Sequence, residues 1–112
     1  MPVNIRGIFE RLRKRILNLD SSVKEEVRKP YIAYKTTTDF VAIELQKKHL
    51  RVTLHVRLSE MNDPKGLCKI VAHPGHLNNG DVEIRIHSLD QIEDGMDLIR
   101  QAFEKQVEEI YV

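Results

Sequence analysis

The chain has no second cysteine, so Cys68 cannot form an intramolecular disulfide. That pattern fits a reducing compartment, or a fold that needs no covalent staple. Long apolar runs are missing too. The first twenty residues carry Arg6, Arg11, Arg13, Lys14 and Arg15, unlike a signal peptide or a membrane span. The expectation is a cytoplasmic protein with no membrane partner. There is no glycine-rich phosphate loop, low-complexity tract or internal repeat.

What is present is enough for one layered core. At 112 residues, two cores would each be too small to stand alone. The expectation is therefore a single α+β domain over residues 1–112. Net charge is +1, unevenly spread. Residues 5–15 hold five basic side chains against Glu10, and residues 90–109 hold seven acids against Arg100 and Lys105. Two complementary terminal helices lying side by side explain this, as does a basic first helix facing an anionic partner.

Asn4 can cap a helix running to about Leu19, with Ile5, Ile8, Phe9, Leu12, Ile16 and Leu19 forming one apolar stripe. Ser22-Val23-Lys24-Glu25 has capping-box spacing and predicts a short helix ending before Pro30. The period then changes to two. Residues 31–36 and 40–46 read as strands joined through Thr37-Thr38-Asp39. In 50–58, Leu50, Val52, Leu54, Val56 and Leu58 alternate with Arg51, Thr53, His55 and Arg57. A fourth strand at 82–86 sets Val82, Ile84 and Ile86 against Glu83 and Arg85.

Between these last two strands, Asp63-Pro64 reads as the start of a short helix through Leu67, Ile70 and Val71. His73-Pro74-Gly75-His76 ends it, and Asn79-Gly80 marks a turn. Ser88 then caps a helix to about Ile110, with Ile92, Met96, Ile99, Phe103, Val107 and Ile110 inward. Gly95 inside that helix suggests close packing. The predicted order is α-α-β-β-β-(α)-β-α: a two-layer, four-stranded antiparallel sheet with both terminal helices on one face.

No residue set carries a catalytic signature, so the chain reads as a non-enzyme without a cofactor. A zinc site needs two pairs of soft ligands at short spacing, whereas Cys68, His73 and His76 supply no second pair. Cys68 beside Leu67 reads as a buried thiol, and nothing local marks it as a nucleophile. Glu44-Leu45-Gln46-Lys47 superficially resembles the E-x-K end of a nuclease motif. Its one candidate partner, Asp39, is placed by the pattern in a hairpin turn.

The wet sheet face remains, with Arg51, His55 and Arg57 on one strand and Arg85 and His87 on another. It can bind nucleic-acid phosphates, form cross-strand ion pairs in solvent, or make a dimer contact. Only Tyr31 and Tyr34 come near as stacking platforms.

Several blocks are together similar to a known family. They are Tyr31-Ile32-Ala33-Tyr34-Lys35, Phe40, Gln46-Lys47-Lys48 and Leu50, then Asp63-Pro64-Lys65-Gly66-Leu67, Gly75-His76, Gly80-Asp81-Val82-Glu83-Ile84, and Leu98 to Glu104. Over about residues 9–105 the chain resembles a bacterial and archaeal family of domains of unknown function. Its members occur alone or at the C-terminus of longer proteins, some labelled "predicted transport protein" and others linked to restriction-type nucleases. More distantly, the layout is similar to the YjbR-like proteins, though His76-Leu77 stands where those carry histidine-tryptophan. The transport label has no physical support in a chain with nothing to span a membrane. The resemblance directs attention to Lys35, Lys47, Lys48, Gly75, His76, Gly80 and Asp81.

Two functional expectations follow. The first is a non-enzymatic binding module for nucleic acid or a nuclease-type protein, using Lys35, Arg51, His55, Arg57, His76 and Arg85. The second is a small-ligand or protein-interaction domain acting as a homodimer, with a pocket at Lys35 and the Gly75–Asp81 loop.

Overall fold

The computed structural model describes residues 4–70 and 82–110, with side chains as far as Glu108. Helix α1 (Ile5–Leu17) is followed by strands β1 (Lys24–Val27), β2 (Ile32–Lys35), β3 (Asp39–Leu45) and β4 (Leu50–Leu54). Strands β5 (Lys69–Ile70) and β6 (Val82–Ile86) precede helix α2 (Ile92–Ile110), and 3-10 turns occupy Leu58–Glu60 and Leu89–Gln91. The α+β class matches expectation. The sheet does not: among the described residues it has six strands, ordered β1-β2-β3-β4-β6-β5, with every neighbouring pair antiparallel.

The capping signal at Ser22 misled because another residue uses the serine. Ser22 donates from its amide and its hydroxyl to the Asp20 carboxylate in the turn after α1. Residues 24–27 then pair with β2 instead of coiling. Val23 is buried in the core, and Arg28 N donates to Tyr31 O at 2.8 Å to close the hairpin.

The helix expected after Asp63 is also absent. Its carboxylate accepts from Leu67 N at 2.9 Å and Cys68 N at 2.8 Å, wrapping a turn rather than capping a helix. Gly66 has φ +64°, a left-handed conformation that breaks helical continuation. The chain leaves this turn extended and pairs as β5 with β6. Val71, His73 to His76, Asn79, Gly80 and Asp81 lie outside the described residues.

Asn4 caps α1 as expected, its side chain accepting from Gly7 N at 2.9 Å. Ile8, Phe9, Leu12 and Ile16 of α1 are buried, as are Ile92, Met96, Leu98, Ile99 and Ala102 of α2. Both helices contact β3, and they also touch each other, α1 meeting β4 and α2 meeting β6. They therefore roof one face of the sheet, where Tyr34, Val41, Ile43, Leu50, Val52, Leu54, Ile84 and Ile86 complete the core. Arg15 of α1 grips Glu93 of α2 with two hydrogen bonds, so the terminal charges do complement each other. Close packing at Gly95 is real: a Cβ there would lie 2.8 Å from Ile86 Cδ1.

Two details set the sheet's shape. Tyr34 pairs with Val41 but Lys35 with Asp39, which leaves Phe40 in excess as a β-bulge. Phe40 is fully buried and meets Phe103 of α2 edge-on, ring centroids 5.4 Å apart. Strand β4 stops at Leu54, short of the predicted Leu58, which is 38% exposed in its 3-10 turn. The β2–β3 connection is pinned from above by buried Gln106, which accepts from Thr36 Oγ1 at 2.6 Å and donates to Thr38 Oγ1 at 2.7 Å.

Candidate anion-binding face

The sheet's second face lies away from both helices, and the register orders its side chains into rows. One row runs Glu26, Ala33, Ala42, Thr53, Glu83, Lys69 across all six strands. Ala33 and Ala42 are buried yet stand apart from the main core, forming a low floor between longer neighbours. On one side lies the row Lys24, Lys35, Asp39. On the other lies Glu44, Arg51, Arg85, and beyond it His49 faces His87 with ring centroids 5.3 Å apart.

Carboxylates divide this charge into local pairs. Glu26 sits 3.2 Å from Lys35 Nζ and 3.1 Å from Arg28 Nη2, and these two cations hold its pKa down, Arg28 chiefly. Arg28 also binds both oxygens of Asp39. Glu83 stands between two arginines, 3.0 Å from Arg85 Nε and 3.5 Å from Arg51 Nε. Glu44 lies 3.6 Å from Arg51 Nη1. Like charges directly opposite one another cost a sheet stability. Here Arg51 opposes Arg85, and Glu44 and Glu83 offset that cost only at ion-pair distance around Arg51.

Arg51 and Arg85 of the expected site thus come together. Lys35 lies on the same face in the opposite charged row, and its ion pair with Glu26 gives it a structural role. His55 and Arg57 are exposed beyond the end of β4, beside a polar cleft of about 190 Å³ shared with Asp39, Glu60 and Lys105. His76 lies outside the described residues. Helix α1 belongs to the opposite layer, so its arginines cannot share one flat surface with Arg51. Arg11 and His87 do both line an edge cleft of about 520 Å³ between the two layers.

Sequence reading missed His49 as a member of this face. Its parity with Arg51 was available, but its position opposite His87 depends on the β4–β6 register. Burial first, then the charges of Arg85, His87 and Arg51, push its pKa below the usual imidazole value, with Glu83 opposing.

Asp39 opens β3 instead of lying in a turn, and Arg28 occupies both its oxygens. Cys68 is half-buried in an extended segment, not on a helix. Burial pushes its thiol up to about 12, with the Asp63 charge and hydrogen bond adding to the effect, so it is protonated at neutral pH. Among the described residues, no group of three or more His, Cys, Asp or Glu could hold a metal ion. Nor is any helix among them long and apolar enough to cross a membrane.

These features define a two-layer α+β protein with one helix-covered sheet face and one charged face. The family described as "Domain of unknown function (DUF5655)" matches residues 2–106, and the chain belongs to that family. An uncharacterized protein of Haemophilus influenzae is 40% identical over 98 residues, covering 88% of this chain and 32% of the relative. The chain thus spans about a third of that relative's length. No solved structure matches it.

Proposed function

We propose that this domain is a non-enzymatic module that binds nucleic-acid backbone phosphates on the charged face of its sheet. One observation carries the reading: Arg51 opposes Arg85 on one row while His49 opposes His87 on the next. Arg51 and Arg85 on facing strands, with His49 and His87 just past the strand ends, gather four cation-capable side chains that Glu44 and Glu83 offset in part, and a bound polyanion completes that offset. The Ala33–Ala42–Thr53 floor leaves room for a backbone to approach the surrounding charges. No chemistry is assigned to the module, consistent with a Cys68 thiol kept protonated and with Asp39 engaged by Arg28. A nuclease-type partner rests on the family resemblance alone.

Fluorescence anisotropy with labelled single-stranded and duplex oligonucleotides, titrated across salt concentrations, tests this. Log affinity should fall linearly as log salt rises, because each phosphate contact releases counterions. The double variant Arg51→Gln/Arg85→Gln should bind more weakly to every sequence tried. Absence of binding at low salt would remove the proposal.

A further inference from the structure

Among the described residues, two buried side-chain nitrogens have no hydrogen-bond partner: His49 Nε2 and Arg51 Nε. His49 ends the turn before β4 and Arg51 lies two residues on within the strand, so one shared acceptor can account for both. Buried polar atoms are nearly always hydrogen-bonded, and an orphaned pair asks for an explanation. Arg51 Nε is a donor that approaches Glu83 only to 3.5 Å, and Glu44 reaches Arg51 Nη1 only at 3.6 Å. The neighbouring side chains across the β4–β6 pair, Arg85 and His87, are both exposed and can move aside.

We propose that His49, Arg51, Arg85 and His87 form a subsite for one tetrahedral oxyanion of the phosphate class, which enters together with a proton on the imidazole pair. This rests on the phosphate-binding reading above and makes it specific. Protonated imidazole and guanidinium are both donors, and an oxyanion supplies the acceptors that their orphaned nitrogens lack.

The proton follows from the surroundings. Facing His49 are Arg51 two residues further on, Glu83 and Arg85 on β6, His87 just after β6, and Glu44 on β3 through Arg51. Lys69 of β5 stands across Glu83 on the far side, and from the helix layer Arg11, Asp90 and Asp94 line the clefts that His87 also lines. Without an anion, burial and the neighbouring charges disfavour the protonated form of His49, with Glu83 opposing. A seated anion reverses the local potential, which raises the affinity of the imidazoles for protons. Binding and protonation then reinforce each other, by reciprocity of linkage.

The probe is inorganic sulfate, whose charge stays fixed across the range in which imidazole titrates. Sulfate is added to the 112-residue chain at about pH 5.5 and about pH 7.5 while imidazole resonances are followed by NMR. Sulfate should move the titration midpoint of His49 upward and bind up to about tenfold more tightly at the lower pH, the change carried by one unit of imidazole pKa. His49→Gln should abolish that pH dependence while leaving weak binding through the arginines. His87→Asn, at an exposed position, is the second variant should the first fail to fold. Sulfate that shifts neither imidazole, or binds equally at both pH values, overturns the subsite. Oligonucleotide binding without an imidazole response would leave the phosphate-binding face standing and sink the subsite. An imidazole response without oligonucleotide binding would do the reverse.

Discussion

Arg13 of α1 grips Glu25 of β1 from above, Nε donating at 2.6 Å and Nη2 at 3.1 Å. The same carboxylate accepts the hydroxyl of buried Tyr34 at 2.7 Å. This network ties the first helix to the edge hairpin through partly buried charge. Hydrogen bonds to charged groups contribute about 1.5–3 kcal/mol when buried, and losing one partner leaves the other unsatisfied.

Glu25→Gln should therefore destabilise the fold by about 2 kcal/mol at neutral pH, and Tyr34→Phe by about 1 kcal/mol, both read by urea unfolding. Arg13 first, then Tyr34, holds the Glu25 pKa below its ordinary value against the opposing effect of burial. A depressed carboxylate pKa stabilises above the unfolded-state pKa, and that contribution is lost as pH falls through the folded-state pKa. The stability gap between wild type and Glu25→Gln should thus be full at neutral pH and narrow below the usual glutamate range. A gap constant down to strong acid would contradict this account.

Gly95→Ala sets two effects against each other. Alanine gains up to about 1 kcal/mol of helix propensity over glycine. The added methyl would lie 2.8 Å from Ile86 Cδ1, 3.6 Å from Ile86 Cγ1 and 3.7 Å from Ile84 Cδ1, where α2 packs on β6. Overpacking costs about 1–3 kcal/mol, so the single variant should come out less stable by about 1 kcal/mol. Ile86→Val removes the clashing carbon. The double variant should therefore be more stable than the two single effects sum to, a coupling that a double-mutant cycle measures directly.

Asp63 acts on both its turn and the neighbouring thiol. Asp63→Asn should cost about 1 kcal/mol through weaker acceptance from Leu67 N and Cys68 N. It should also lower the Cys68 pKa, because the Asp63 charge is one of the causes raising it. More thiolate means faster alkylation by iodoacetamide at mildly alkaline pH. Unchanged alkylation in a folded variant would mean that burial alone controls the thiol.

Arg85→Gln should reduce the slope of log affinity against log salt by about 1, the signature of one lost phosphate contact. Lys65→Gln is the matching control, since Lys65 pairs with Asp94 on the helix side at 2.9 Å. Its slope should not change. Equal effects from both variants would point to general charge attraction instead of a defined face.

The amphipathic elements were readable because their periodicity is strong and nothing competes with it. The α1 stripe, β6 and the inward face of α2 from Ile92 to Phe103 are each set by repeated apolar spacing, and those assignments hold, while the Ile110 side chain lies outside the described residues. The edge strands were not readable. Residues 24–27 carry three charges and a single apolar side chain, Val27, that is 77% exposed, so their strand state depends on pairing with β2. At β5 the cause is one backbone torsion: Asp63-Pro64 looks like a helix start until Gly66 turns left-handed. The charged face itself was visible as the polar parity of 51–57. Its organisation was not, because which charge faces which depends on cross-strand register.

The extra residue at Phe40 shifts the phase of the hairpin by half a period. Before it, Asp39 points with Lys35 toward the charged side; after it, Val41 points with Tyr34 toward the helices. One chain segment can thus reach Gln106 above and Arg28 below within a few residues. Deleting Phe40 would leave Asp39 and Val41 on their present sides in an unbulged register, and remove only the aromatic anchor on Phe103.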